Sequence, residues 1–333
     1  MKNPETVKPV MRITGTGRGI PEKVLTNADF EKMVDTTDEW ITTRTGIKER
    51  HILETGGALS ELATEAAKKA LDEAGRSPEE VDYIIIGTVT GDMKFPATAN
   101  FVQAALGAVN ATTFDISAAC SGFMYAIELA DSLIRSGKAE VVVTIGAEAL
   151  SSITDYEDRS TCVLFGDGAG AAVFEATDED RGVLSTYTGS NGKLHHLLYM
   201  EGAGSRYPSK DRDLPKEVFT LKMAGNEVFK HAVKTMGDAA VTALDKAGLD
   251  KADIDLLIPH QANIRIIDAT TKRLKLSPDN VFRNIHKYGN TSSASIPIAL
   301  DEARKSGRAK EGDLVLCVSF GGGFTWGSCA IKL

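Results

Sequence analysis

Apolar and polar positions along the chain alternate between two periods. Leu59, Leu62, Ala63, Ala66, Ala67, Ala70, Leu71 and Ala74 recur at helical spacing, and Gly75 supplies a stop. Phe123, Ala126, Ile127, Ala130, Leu133 and Ile134 mark a second buried helix beginning near Ser121. Between such helices lie short continuous apolar runs, VVVTIG at 141–146 and LVLCVSF at 314–320, which read as buried strands. Helices alternating with buried strands predict an α/β fold of βα units, with largely parallel sheets covered by helices.

The pattern repeats. ALDEAGRSPEEVDYIIIG (70–87) aligns without a gap on ALDKAGLDKADIDLLIPH (243–260), an offset of 173. LADSLIRSGKA (129–139) resembles ALDEARKSGRA (299–309) at an offset of 170, and FGDGAGAAVF (165–174) pairs with FGGGFTWGSC (320–329). Two halves, roughly 1–180 and 181–333, are expected to pack about a pseudo-twofold axis. The first offset carries Gly87 onto His260 and the second carries Cys120 onto Asn290. Cys120 and Asn290 then both precede helices, and His260 ends a strand. In α/β sheets these positions share the edge where ligands bind, so the duplication draws the three residues together.

Composition narrows the classes. The 333 residues are 42% hydrophobic and 25% charged, with a formal net charge of −8. That length suits about two domains or one duplicated fold, and the acidic balance argues against a partner held by nucleic-acid phosphates. Runs such as Val141–Ile145 and Leu314–Val318 fall far short of the ~20 residues needed to span a bilayer, so no membrane association is expected. The opening MKNPETVKPV resembles neither a signal peptide nor a transit peptide. Four cysteines without a CxxC pair suggest a cytoplasmic, reduced protein whose thiols are buried or reactive.

Cys120 is the exception among the four. It stands at a helix start between small residues (Ala118, Ala119, Ser121, Gly122), where the helix dipole is expected to favour thiolate. Cys162, Cys317 and Cys329 lie in apolar, strand-like runs and read as structural. His260 follows an apolar strand in LLIPHQANIRII, whereas His51, His195, His196, His231 and His286 read as surface or satisfied core residues. None of these side chains has metal-ligand spacing, so no metal is expected. Asn290, in HKYGNTSSASIP, also fits a helix N-cap, and Pro297 requires that helix to start late or to kink. The glycines of SFGGGFTWGS allow backbone N–H groups to approach a ligand, as an oxyanion hole does.

AACSGF, PHQAN, GNTSSAS and GGGFTWGS, in that order, resemble the β-ketoacyl-acyl-carrier-protein synthase III family of thiolase-like condensing enzymes. The likeness extends through GTGRGIPEKVLTNADFEKMVDTTDEWITTRTGIKERH near the start and MAGNEVFK at 223–230. It implies a thiolase-like fold with five α-β-α-β-α layers, in a homodimer. It also implies that a short acyl-CoA primer, with acetyl-CoA expected, acylates Cys120 and then condenses with malonyl-acyl carrier protein, starting type II fatty-acid synthesis. His260 and Asn290 would stabilise the enolate formed by decarboxylation, and the backbone N–H groups of Cys120 and Gly322 would hold the oxyanion. No cofactor is implied, acyl-CoA being a substrate.

The same resemblance puts Trp40 and Arg159 on the CoA adenine, with Arg44, Asn226 and Asn263 along the rest of the CoA path. Phe95, reaching across the dimer, would line the acyl pocket with Phe165 and Phe320. Lys230, Lys234, Arg265, Lys272 and Arg273 would form a basic patch for the carrier protein. Read alone, these are also a surface aromatic and solvated charges. A related acyltransferase or polyketide-type condensing enzyme, using another acyl-CoA or acceptor, is the alternative function. A thiolase is disfavoured, because Asn290 stands where a His is usual and Ser319 precedes Phe320 in place of a second cysteine. A non-enzymatic scaffold would typically have lost Cys120.

Overall fold

The computed structural model describes residues 10–211 and 213–333; the opening segment read above for a leader lies outside these up to residue 9. One sheet is built from β1 (Met11–Gly19), β2 (Tyr83–Gly87), β3 (Thr112–Ile116), β4 (Val141–Ala149) and β5 (Asp167–Ala176). A second is built from β6 (Gly182–Ser190), β7 (Leu256–Pro259), β8 (Leu314–Gly321) and β9 (Thr325–Lys332). Strand order is β1-β5-β4-β2-β3 in the first and β6-β9-β8-β7 in the second, so the two sheets share one topology. The counterpart of β3 is reduced to a single parallel bridge between Leu257 and Val281.

The sheets are mixed rather than largely parallel. β2 runs parallel to β3 and β4, and β7 to β8, but β4–β5, β5–β1, β8–β9 and β9–β6 are antiparallel. A parallel crossover needs a helix-length connection. Between β8 and β9 there are only Gly322, Gly323 and Phe324, so the strand must turn straight back.

Six helices place the site: α1 (Asp38–Thr45), α2 (Leu59–Ala74), α3 (Gly122–Arg135), α4 (Gly225–Ala247), α5 (Ile264–Leu274) and α6 (Ser295–Lys305). α2 puts Leu62, Ala63, Ala66 and Ala70 against Ile84, Ile86 and Val143 on the outer face of the first sheet. The opposite face, with Ile85, Val142 and Phe174, shares a core with Phe123 and Ile127 of α3 and Ile296 and Leu300 of α6. That core continues into Leu256, Ile258, Val315 and Ile331 of the second sheet. α4 and α5 cover its far face through Met236, Ala240, Leu244 and Ile267. The layers are therefore α-β-α-β-α, with α3 and α6 in the middle. β4 lies between two layers and is buried along its whole length, which is why its sequence is unbroken apolar rather than alternating.

α3 and α6 reach the centre through glycines. A Cβ on Gly87 would lie 2.5 Å from the Gly122 carbonyl carbon, and one on Gly146 would lie 2.2 Å from the Ser293 carbonyl oxygen. Both helices begin with a single 3-10 turn, at Ala119–Ser121 and Ser292–Ala294. Pro297 is accommodated because α6 starts only at Ser295, placing the proline in the first turn, where its missing N–H is no loss.

Candidate active site

The 3-10 turn before α3 carries Cys120, the end of β7 carries His260, and the segment before α6 carries Asn290. All three line one cavity of about 610 Å³, with Ala119, Phe165, Ser292, Phe320 and Gly322 around them. Backbone N–H groups of Cys120 and Gly322 donate to the Cys120 sulfur. The Gly322 loop is tied to the turn that carries Cys120 by Thr325, whose Oγ1 donates to the Ala118 carbonyl at 2.7 Å.

Cys120 does not behave as the helix dipole alone suggests. Burial, and then the nearby Glu148 charge, outweigh the hydrogen bonds and push its thiol up to about 11. The resting nucleophile is thus a thiol, and its proton must be removed as it attacks. Cys162, Cys317 and Cys329 are buried free thiols, although Cys162 lies in the four-residue helix Arg159–Cys162 rather than a strand.

His260 is buried and held neutral, its imidazolium driven down to about 3 by desolvation. Nδ1 lies 2.6 Å from Ser295 Oγ. That oxygen also accepts the Gln261 N–H at 3.4 Å, and among the described residues Nδ1 is the one acceptor within reach of its hydroxyl hydrogen. The proton of His260 is then on Nε2, which has no side-chain or backbone partner among the described residues. Asn290 is pinned by its backbone: its N–H donates to the Leu164 carbonyl (2.8 Å) and its carbonyl accepts from Gly166 (3.1 Å). Its Oδ1 accepts the Ser292 N–H at 2.9 Å, so it does cap the following turn, and its amide NH₂ is left as a donor at the cavity. Arg50 holds the 163–166 segment from behind. Fully buried, it donates to the Val163 carbonyl and, at 2.6 Å, to Asn27 Oδ1.

Two residues here were not singled out from the sequence. Ser292 Oγ lies 3.3 Å from Cys120 Sγ and 3.0 Å from Glu148 Oε1. Glu148 is fully buried near the end of β4, and desolvation raises its carboxyl to about 7.

The other sequence-predicted positions divide. Trp40, Arg44, Asn226 and Asn263 line the same cavity, as do Phe165 and Phe320. Asn263 also caps α5 by accepting the Arg265 N–H at 2.9 Å. Arg159 is not in the lining; its guanidinium sits 5.1 Å over the Trp40 ring and donates to the Asp35 carbonyl at 2.7 Å. Arg44 covers Trp40 too, at 4.7 Å, so Arg159 and Trp40 are in mutual contact and leave no slot for a ring between them. Phe95 is 83% exposed and does not line this chain's own cavity. In the basic patch, Lys230 pairs with Glu227, and Lys234 and Arg273 both pair with Asp238. Arg265 lines the cavity, and among the described residues neither it nor Lys272 forms an ion pair. The described residues also hold no group of three or more His, Cys, Asp or Glu placed to bind a metal.

A cysteine facing two backbone N–H groups, a neutral histidine and a capped asparagine, set where two matching halves meet, define a thiolase-like condensing enzyme. Residues 114–192 match the 3-oxoacyl-[acyl-carrier-protein (ACP)] synthase III family model, and residues 244–333 match its C-terminal model. The chain belongs to the β-ketoacyl-[acyl-carrier-protein] synthase III family, and is an acyltransferase. It is 55% identical over 320 residues to the synthase III of Caldanaerobacter subterraneus subsp. tengcongensis, covering 96% of this chain and 97% of that one. It is 52% identical over 326 residues to that of Symbiobacterium thermophilum, covering 98% of each. The solved 3-oxoacyl-[acyl-carrier-protein] synthase III of Aquifex aeolicus superposes with a TM-score of 0.91 at 50% identity, over 97% of this chain and 100% of that one. The priming β-ketosynthase of the R1128 polyketide pathway superposes with a TM-score of 0.91 at 34% identity, over 100% and 98%.

Proposed function

We propose that the chain condenses a short acyl-CoA primer, acetyl-CoA in the simplest case, with malonyl-acyl carrier protein to give a 3-oxoacyl-acyl carrier protein. The observation that carries this reading is the convergence of Cys120, His260 and Asn290 on one cavity beside the Cys120 and Gly322 N–H groups. Cys120 attacks the primer thioester and CoA leaves. Malonyl-acyl carrier protein then enters. The Nε2–H of His260 and the amide of Asn290 donate to its thioester oxygen as carbon dioxide departs, stabilising the enolate. That carbanion attacks the acyl-Cys120 carbonyl, whose oxygen meets the two backbone N–H groups; the bond to the Cys120 sulfur then breaks, and the released thiolate takes up a proton to restore the thiol. Neutral donors suit the task, since the charge they meet exists only along the reaction path.

Trp40, Arg44, Asn226 and Asn263 support a CoA path to the cavity. Adenine stacking on Trp40 would require Arg159 to swing off the ring. Arg265 and Lys272, which form no ion pair among the described residues, are the strongest candidates in the patch for docking an acidic carrier. A homodimer is favoured by the open edge of β3 and by exposed Phe95, Met93 and Val109, large apolar groups that a partner would cover. The four free thiols suit a cytoplasmic enzyme.

Intact-mass measurement with a panel of acyl-CoAs tests the reading. The wild type should gain one acyl mass, most readily from a short chain, and then form acetoacetyl-carrier protein when malonyl-carrier protein is added. Cys120→Ala should lose acylation by roughly 10⁴-fold or more. His260→Ala or Asn290→Ala should acylate normally and condense about 10²- to 10³-fold more slowly. An equal mass gain in Cys120→Ala would sink the mechanism. Preference for another acyl-CoA or acceptor would favour the polyketide-type alternative, to which the R1128 likeness points.

A further inference from the structure

We propose that Ser292 and Glu148 form the path by which the proton leaves Cys120 during acylation. The inference rests on Cys120 being the acylated nucleophile. Ser292 Oγ sits between the other two groups, 3.3 Å from Cys120 Sγ and 3.0 Å from Glu148 Oε1. A hydroxyl has one hydrogen and cannot donate to both at once. When that hydrogen is on Glu148, the thiol hydrogen of Cys120 has the Ser292 oxygen as its acceptor. The chain then runs from thiol through hydroxyl to carboxylate without a gap.

The surroundings fix this arrangement. Ser292 is held at φ +48°, a left-handed conformation that a serine does not adopt freely. Glu148 accepts from Thr90 Oγ1 (2.5 Å), the Val89 N–H (3.1 Å) and Thr88 Oγ1 (3.3 Å), all uncharged. The titratable group facing it is Cys120, through Ser292; His260, the other titratable group on this part of the wall, is neutral. The pseudo-twofold axis gives an internal comparison. At the 173-residue offset Ser292 corresponds to Ala119, also at positive φ, and Glu148 to Gly321. A side chain at Gly321 would strike Cys120, with a Cβ 2.6 Å from its nitrogen. The polar pair thus occurs in only one of two equivalent places, the one aimed at the sulfur.

The chemistry conserves charge. The Cys120 S–H proton passes to Ser292 Oγ while the Ser292 O–H proton passes to Glu148 Oε1. The sulfur lone pair attacks the primer carbonyl, the bond from that carbon to the CoA sulfur breaks, and the departing CoA thiolate takes the proton from Ser292 Oγ as Glu148 returns one to that oxygen. The buried site carries one negative charge throughout, on carboxylate, on sulfur or on the carbonyl oxygen of the adduct, and never two. Glu148 acts through Ser292 and touches no substrate.

Rapid-quench intact-mass measurement of acylation by acetyl-CoA, from pH 5.5 to 8.5, tests the relay. Glu148→Gln keeps the shape but cannot take up a proton, and Ser292→Ala cuts the middle link. Each is expected to slow acylation about 10- to 100-fold, and the double variant no further, because they share one path. The wild-type rate should climb through the ionisation of Glu148 near pH 7, and Glu148→Gln should lack that limb. Variants acylated by long incubation should condense with malonyl-carrier protein at close to the wild-type rate. Wild-type acylation in Glu148→Gln with the pH limb intact overturns the relay alone. Multiplying losses, or condensation falling as far as acylation, also overturn it by making Glu148 a mere support for the Thr88–Thr90 loop. No mass gain in the wild type removes the acyl-transfer reading and the relay with it. If Glu148→Gln does not fold by circular dichroism, Ser292→Ala carries the same rate and condensation tests.

Discussion

His260 can stabilise an enolate only as a neutral imidazole with its proton on Nε2, and the site supplies these two conditions from different sources. Burial supplies neutrality, and the hydroxyl of Ser295, 2.6 Å from Nδ1, supplies the tautomer. Ser295→Ala should therefore leave acylation of Cys120 intact while slowing malonyl decarboxylation and condensation about 10- to 100-fold, with partial recovery in Ser295→Thr. Separate assays of the two half-reactions check this, and equal losses in both would show that Ser295 merely supports the fold. That Cys120, His260 and Asn290 meet was legible in the sequence because each stands at a helix start or a strand end within a family motif, and the internal repeat brings those positions together. Ser292 was hidden in a run of serines that nothing in the sequence tells apart. Glu148 left one signal, a lone carboxylate near the end of an apolar strand; its partner is 144 residues away, so no local pattern joined them.

α3 and α6 begin 173 residues apart, after turns that place Ala119 and Ser292 at φ +47° and +48°, yet they end 170 apart. The three-residue difference lies inside the helices, α6 being the shorter. Carrying the offset of the helix ends back to their starts matched Cys120 with Asn290; the turns themselves match Cys120 with Ser293. The duplication was still the right guide to the place, because Gly87 and His260 keep the 173 offset and both turns meet at the axis. What sequence spacing could not show is how closely they meet. Gly146 of β4 faces the Ser293 carbonyl, and a Cβ there would lie 2.2 Å from its oxygen and 2.7 Å from its carbon, backbone atoms that cannot rotate aside. Gly146→Ala is expected to cost about 1–3 kcal/mol of stability and to slow acylation by shifting Ser292. Gly192→Ala, where a Cβ meets nothing within 4 Å, should do neither. Thermal unfolding of both variants decides; a Gly146→Ala protein as stable as the wild type would mean that the layers can part.

At the scale of the whole molecule, two buried groups of opposite tendency share the interface between the halves, and they should leave a mark on the pH dependence of folding. His260 has its folded value lowered from 6.5 to about 3, so the stability it contributes is present above 6.5 and is lost as pH falls towards 3. Glu148 has its folded value raised from 4.5 to about 7, so its contribution is present below 4.5 and is lost as pH rises through 7. Between pH 4.5 and 6.5 the native state binds one proton fewer than the unfolded chain at His260 and one more at Glu148, so the two slopes oppose. The sequence showed neither effect, because both come from burial by residues distant in the chain. Removing Glu148 should uncover the histidine. Denaturant unfolding of Glu148→Gln should show stability falling with acidification from about pH 6.5, while the wild type stays flatter. The gap between them should widen by up to about 1.4 kcal/mol per pH unit down to pH 4.5. Parallel curves for the two proteins over that range would mean that Glu148 titrates as an ordinary carboxylate. The relay would then lose the buried base on which its pH limb depends.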